Sequence, residues 1–131
     1  MKTRFLLLPM IVLLMFSVGC RKGADTVTLG GNAATAKSDF TSKDMREAIF
    51  QGCADKNWRA VDLDANTIEA TIVVRGKHTV VVAIPYTASS FAINYKSSIN
   101  MNARDGKIHP NYNNWVNYLD QAIRRRIALQ Q

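Results

Sequence analysis

Thr67-Ile68-Glu69-Ala70-Thr71-Ile72-Val73-Val74, then Arg75-Gly76-Lys77, then His78-Thr79-Val80-Val81-Val82-Ala83-Ile84-Pro85, is the stretch that decides the fold. Its first part alternates. Ile68, Ala70, Ile72 and Val74 face one way, while Thr67, Glu69 and Thr71 face the other, the period of a half-buried strand. Arg75-Gly76-Lys77 is a turn, with Gly76 free to take positive φ. In the second strand Val80, Val82 and Ile84 are in phase, with His78 at the start of the same row. Pro85 lacks an N–H, so it ends that ladder or places it on an edge.

Working outward, residues 58–63 read as a shorter strand closed by the turn Asp64-Ala65-Asn66. Downstream of Thr87-Ala88-Ser89, Phe91, Ile93 and Tyr95 alternate with Ala92, Asn94 and Lys96. The strands form a four-stranded antiparallel meander with one buried face. A helix precedes it. The hydroxyl of Thr41 or Ser42 caps its first N–H groups, and Asp44 and Glu47 complement its dipole. It runs to about Ala54 and ends before Asn57. A second helix follows. Pro110 suits its first turn, and Tyr112, Trp115, Val116, Leu119, Ile123 and Ile127 form an apolar stripe. The sequence thus predicts an α+β fold of order α-β-β-β-β-α, with both helices packed on one face of the sheet. Residues 97–109, with Arg104-Asp105-Gly106-Lys107 as a turn, form either a short extra hairpin or an ordered loop.

The amino terminus reads as an export signal. Lys2 and Arg4 precede residues 5–18, which are almost wholly apolar but too short to span a bilayer and interrupted by Pro9. Ser17-Val18-Gly19-Cys20 resembles the lipobox of bacterial lipoprotein signals, although Ser17 stands where that family prefers Leu. The resemblance implies a diacylglyceryl group on the Cys20 sulfur, cleavage before Cys20 and acylation of the new amino group. It also implies a membrane partner through that lipid. Arg21 replaces the Asp that signals inner-membrane retention in this family, which favours the outer membrane with the domain facing the periplasm. The other reading is an ordinary signal peptide, whose cut the small Ser17 and Gly19 permit. Residues 1–19 are therefore read as the signal, 20–41 as lipidated cysteine plus flexible tether, and 42–131 as one domain. Twenty flexible residues have a reach of about 25 Å.

The 131-residue chain carries a net charge of +7, and loss of Lys2 and Arg4 with the signal leaves +5. Export makes nucleic acid a poor partner. An envelope protein or an anionic envelope component fits the compartment better. Of the two cysteines, a thioether on Cys20 leaves Cys53 unpaired. Met45, Ile49 and Cys53 recur on one helix face, so Cys53 reads as a small core residue rather than a reactive thiol.

Residues able to carry chemistry are few. His78 and His109 are the only histidines, each read first as structural: His78 at the core's rim, His109 capping the last helix or meeting a loop carbonyl. A small enzyme or metal protein using both is the alternative reading. No spacing supports a metal site from His78, His109 and Cys53, and no cofactor motif, nucleophile elbow or phosphate loop occurs. Asp62 and Asp64 shape a turn. Arg124, Arg125 and Arg126 either complement the helix dipole or form an anion-binding patch. The sheet's outward face carries Val73, Val81, Ala83 and Ala92 among Thr71, Thr79 and Asn94, which suits a docked partner or plain strand propensity.

Tyr95-Lys96-Ser97-Ser98-Ile99-Asn100 and Ile108-His109-Pro110-Asn111-Tyr112-Asn113-Asn114-Trp115 resemble a pattern in small lipoproteins of proteobacteria with no assigned biochemical role. The resemblance covers about residues 42–129 and implies location and fold, with no catalytic residue. The expected function is a lipid-anchored, non-catalytic binding or assembly module of the cell envelope.

Overall fold

The structure, a computed structural model, describes residues 24–25, 29–32 and 39–131, with side chains described from residue 39 onward. The signal segment and Cys20 lie outside the described residues. The elements are β1 (Ala24–Asp25), β2 (Leu29–Asn32), α1 (Ser42–Asp55), β3 (Arg59–Asp64), β4 (Thr67–Val74), β5 (His78–Pro85), β6 (Ser90–Ile99), β7 (Lys107–Ile108) and α2 (Asn111–Leu129). The chain is α+β. Its four-stranded antiparallel meander, β3 to β6, lies between two helices in sequence, in the expected order α-β-β-β-β-α. Among the described residues no helix is long and apolar enough to cross a membrane.

Local chemistry fixes the helix ends. Thr41 is the N-cap of α1. Its hydroxyl accepts the Asp44 N–H at 3.2 Å, and the Asp44 carboxylate accepts the Thr41 N–H at 2.8 Å. The Thr41 hydroxyl and then its N–H hold the Asp44 carboxyl below the usual carboxylate range. At the other end Asn57 turns left-handed, and the Trp58 N–H reaches back to the Cys53 carbonyl at 2.9 Å. That reversal buries Trp58 and launches β3.

The β4–β5 hairpin pairs in register from Thr67↔Pro85 to Val74↔His78, and Pro85 closes the ladder. Arg75 and Gly76 both have positive φ at its turn, the geometry that matches strand twist in tight hairpins. One face is buried at Ile68 and Ala70 on β4, Val80, Val82 and Ile84 on β5, and Phe91 and Ile93 on β6, with Ile72 and Val74 half-buried toward the hairpin turn. Met45, Ile49 and Cys53 of α1 and Tyr112, Val116, Leu119, Ile123 and Ile127 of α2 share that cluster. The two helices meet closely because residue 52 is glycine: a Cβ there would stand 2.7 Å from Ile123 Cγ1.

The meander gains a fifth strand. Within the stretch read as tether, β2 pairs antiparallel with β6, giving the order β2-β6-β5-β4-β3, and β1 pairs with β7. These pairings satisfy an edge through backbone groups, which a Gly-rich segment without apolar period does not advertise. Residues 97–109 combine both expected forms. Asp105 and Gly106 make a left-handed tight turn closed by the Arg104–Lys107 bridge. Residues 97–99 prolong β6 and Lys107–Ile108 form β7, and the loop between them buries Met101.

A bulge in β6 sets the faces of its carboxyl-terminal half. Val81 pairs with Ser97 and Val82 with Tyr95, so Lys96 is the extra residue. Side-chain alternation changes phase there. Tyr95 points inward, edge-on to Tyr112 with centroids 5.6 Å apart, whereas Ile99, opposite Thr79, points outward.

Candidate functional site

Most residues singled out from sequence fall in three regions: the sheet's outer face, the basic segment of α2, and a cleft where the two histidines meet.

On the outer face, register aligns Val73, Thr79 and Ile99 across β4, β5 and β6, with Thr71, Val81 and Ser97 in the next row. Val73 is 57% exposed, Ile99 62% and Val61 of β3 45%. Val81 and Ala83 are half-buried, crowded by neighbours on the central strand. The Lys96 ammonium reaches the Glu69 carboxylate across β5 in an ion pair. That neutralises Glu69, which lies opposite Ala83, with the bulge residue Lys96. Val61 and Ile99 extend the apolar surface that sequence assigned to Val73, Val81 and Ala83. Ile99 was missed because only the bulge turns it outward.

The arginines diverge. Arg124 Nε bonds Asp120 one turn back at 3.0 Å, and its guanidinium lies 5.2 Å from the Phe91 ring centroid. Arg126 makes a two-pronged bond to Asp55 at the end of α1, at 2.7 and 2.6 Å. The pair holds the Asp55 carboxyl below and the Arg126 guanidinium above their usual ranges, chiefly through that hydrogen bond. Arg125 and Arg126 both line an open cleft of about 550 Å³ with Asp55, Lys56 and Gln121. Arg126 therefore joins α2 to α1 and shares the Asp55 cleft with Arg125, whereas Arg124 turns to Asp120 and Phe91, so the three cations do not form one patch. Consecutive residues are about 100° apart on a helix, which is the physical reason.

Cys53 is fully buried, and burial pushes its thiol up to about 12. A thiol so placed is neither thiolate nor accessible. Asp62, read as a turn former, instead forms a two-pronged pair with Arg46 of α1 at 2.9 and 2.6 Å. Asp64 shapes the turn as expected, accepting the Asn66 N–H at 2.9 Å.

The tertiary structure brings His78 and His109 together. Their ring centroids are 6.5 Å apart, and both line a cleft of about 260 Å³ with Val74, Arg75, Met101, Asn111 and Trp115. Two backbone contacts orient the rings. His78 Nδ1 meets the Asn100 carbonyl at 2.8 Å, and a carbonyl only accepts, so this nitrogen carries the proton. His109 Nδ1 accepts the Asn111 N–H at 3.2 Å, so it presents a lone pair. In the neutral rings, His78 then offers Nε2 as an acceptor and His109 offers Nε2–H as a donor. Left-handed Asn100 ties the loop down by donating its amide to the Lys77 carbonyl at 2.8 Å. The His109 N–H bonds the Met101 carbonyl at 2.8 Å. Sequence named the two histidines but not Arg75, Met101 or Trp115. Arg75, beside Gly76 and three residues before His78, was the available signal.

Among the described residues no group of three His, Cys, Asp or Glu is placed to hold a metal ion. No protein-family model, no curated protein and no solved structure matches the chain.

Proposed function

We propose that the chain is a lipid-anchored envelope protein, acylated at Cys20 and held at the outer membrane facing the periplasm. Its folded domain is a non-catalytic module that binds an envelope protein through the outer face of its sheet. The export signal ending in Gly19-Cys20, followed by Arg21, supports the anchor. The observation carrying the binding reading is the aliphatic surface of Val61, Val73 and Ile99, on which nothing packs among the described residues. Glu69 and Lys96 neutralise each other on that face, and Arg59 stands exposed at its β3 edge opposite Thr71, so the fitting partner presents a mainly apolar protein surface. The arginines of α2 favour an anionic partner less, because Arg124 and Arg126 already hold carboxylates.

A photoreactive residue placed at Val73, Val81 or Ile99 in intact cells tests the binding. One discrete adduct is expected from these positions. It should be absent from Tyr118, exposed on α2, and abolished by Val73→Asp or Ile99→Asp in a folded protein. Absence of any adduct from the sheet positions refutes it. Mass spectrometry of the mature amino terminus tests the anchor separately: an unmodified terminus, or one not starting at Cys20, refutes lipidation. A second reading, a small enzyme or metal protein, draws on the 6.5 Å separation of His78 and His109.

A further inference from the structure

We propose that the cleft between the β4–β5 turn and the start of α2 binds a small organic anion. Its oxyanion head is held by Arg75 and His109, and its apolar body rests against Trp115. This site is independent of the sheet face.

Four observations lead there. The cleft's lining contains Arg75, His78, His109 and Asn111 but no aspartate or glutamate. Arg75 is exposed on its left-handed turn, and no ion pair or hydrogen bond engages it among the described residues. The cationic group on this rim thus lacks an internal counter-ion. The wider cleft toward the other end of α2 differs, since Asp55 is in its wall and already occupies Arg126.

The imidazoles are set in complementary states. His109 Nε2–H donates to an oxyanion, while His78 Nε2 is left as an acceptor that receives a hydroxyl only where the ligand carries one and adds no hydrogen bond to a bare carboxylate. Backbone contacts at both Nδ1 atoms hold these roles. A metal cation fits less well. Ligation by His109 Nε2 would require a proton on Nδ1, where the Asn111 N–H already donates. The Arg75 charge on the same cleft would also repel it. The start of α2 is not itself the attraction. The Asn111 N–H is taken by His109 Nδ1, the Tyr112 N–H by the His109 carbonyl at 3.0 Å, and the Asn113 N–H by the Pro110 carbonyl at 3.2 Å.

Val74, Met101 and Trp115 complete the wall with apolar surface. A bare phosphate leaves that surface empty, whereas an aromatic or short aliphatic acid covers it. The volume of about 260 Å³ admits only a small molecule.

The test titrates the mature chain with benzoate, acetate, inorganic phosphate and Zn²⁺, each alone, while following the ring resonances of His78, His109 and Trp115. Benzoate should move all three saturably and bind more tightly than acetate or phosphate. Arg75→Gln, at an exposed turn position, should weaken benzoate about tenfold or more, the loss of one charge-assisted hydrogen bond. Phosphate binding as tightly as benzoate overturns the apolar-body assignment. No saturable response to any anion, an unchanged affinity in Arg75→Gln, or saturation of both imidazoles by Zn²⁺ alone overturns the site.

Discussion

Replacing Gly52 by alanine pits two principles against each other with opposite signs. Gly52 lies inside α1. At such a position alanine is better than glycine by about 1 kcal/mol, because glycine loses more backbone freedom on folding. Helix propensity alone therefore predicts a more stable protein. The packing of α1 on α2 predicts the reverse. An added Cβ would stand 2.7 Å from Ile123 Cγ1 and 2.8 Å from both Ile123 Cα and N. Two of those atoms are backbone, so no rotamer change relieves the contact and the helices must separate. Overpacking a close-packed core costs about 1–3 kcal/mol, and a clash with a neighbouring backbone belongs at the upper end. Subtracting the propensity gain leaves Gly52→Ala destabilised by about 2 kcal/mol, a fall in Tm of roughly 10 °C for a domain of this size. Thermal and urea denaturation followed by far-ultraviolet circular dichroism measures this, with the urea slope unchanged if the folded state stays compact. Adding Ile123→Ala removes only the Cγ1 contact, so the double variant should remain less stable than Ile123→Ala alone. A Tm for Gly52→Ala equal to or above that of the parent refutes the reasoning.

Three further outcomes are expected. Cys53 should resist a water-soluble thiol reagent at pH 8 in the native protein and react only as the chain unfolds, since burial pushes its thiol up to about 12; rapid stoichiometric labelling of the folded chain would contradict this. The Asp55 and Asp62 carboxyls are held below their ordinary range by hydrogen bonds from Arg126 and Arg46. Their stabilisation is complete above the ordinary carboxylate value and disappears as pH falls through the lower folded value. Asp55→Asn should accordingly flatten the acid limb of the stability curve, and an unaltered limb would count against the pairing. Ile99→Thr should change stability within about 0.5 kcal/mol as a surface substitution, whereas Ile93→Ala, two pleats before the bulge, should cost about 2–5 kcal/mol. Equal costs in chemical denaturation would overturn the assignment of Ile99 to the outer face.

Period explains what was legible. Strand alternation through Ile68, Ala70, Val80, Val82, Phe91 and Ile93 and the helical spacing of Met45, Ile49 and Cys53 each correspond to fully or nearly fully buried side chains. The short segments of β1 and β2 carry no apolar period, so sequence pattern is silent on their pairing. Where a bulge inserts Lys96, the pattern misleads, since Ile99 keeps the parity of Phe91, Ile93 and Tyr95 but faces the opposite way. Of the candidate site, sequence supplied His78 and His109 as residue types, and Val73, Val81 and Ala83 as a face. It could not supply Arg75 or Trp115 as neighbours of the histidines, because they come from separate elements.

The two helices, the four strands of the meander, their order and, up to the bulge in β6, their buried faces are readable from the chain alone. Local periodicity, capping and turn chemistry act over a few residues, so they are written where they act. Packing of distant elements sets the rest: Arg124 and Arg126 serve different carboxylates, glycine is required where α1 crosses Ile123, and two histidines 31 positions apart line one cleft. Each of these depends on how one element lies across another. That placement is set by the shape of the whole core, which no short stretch of chain encodes.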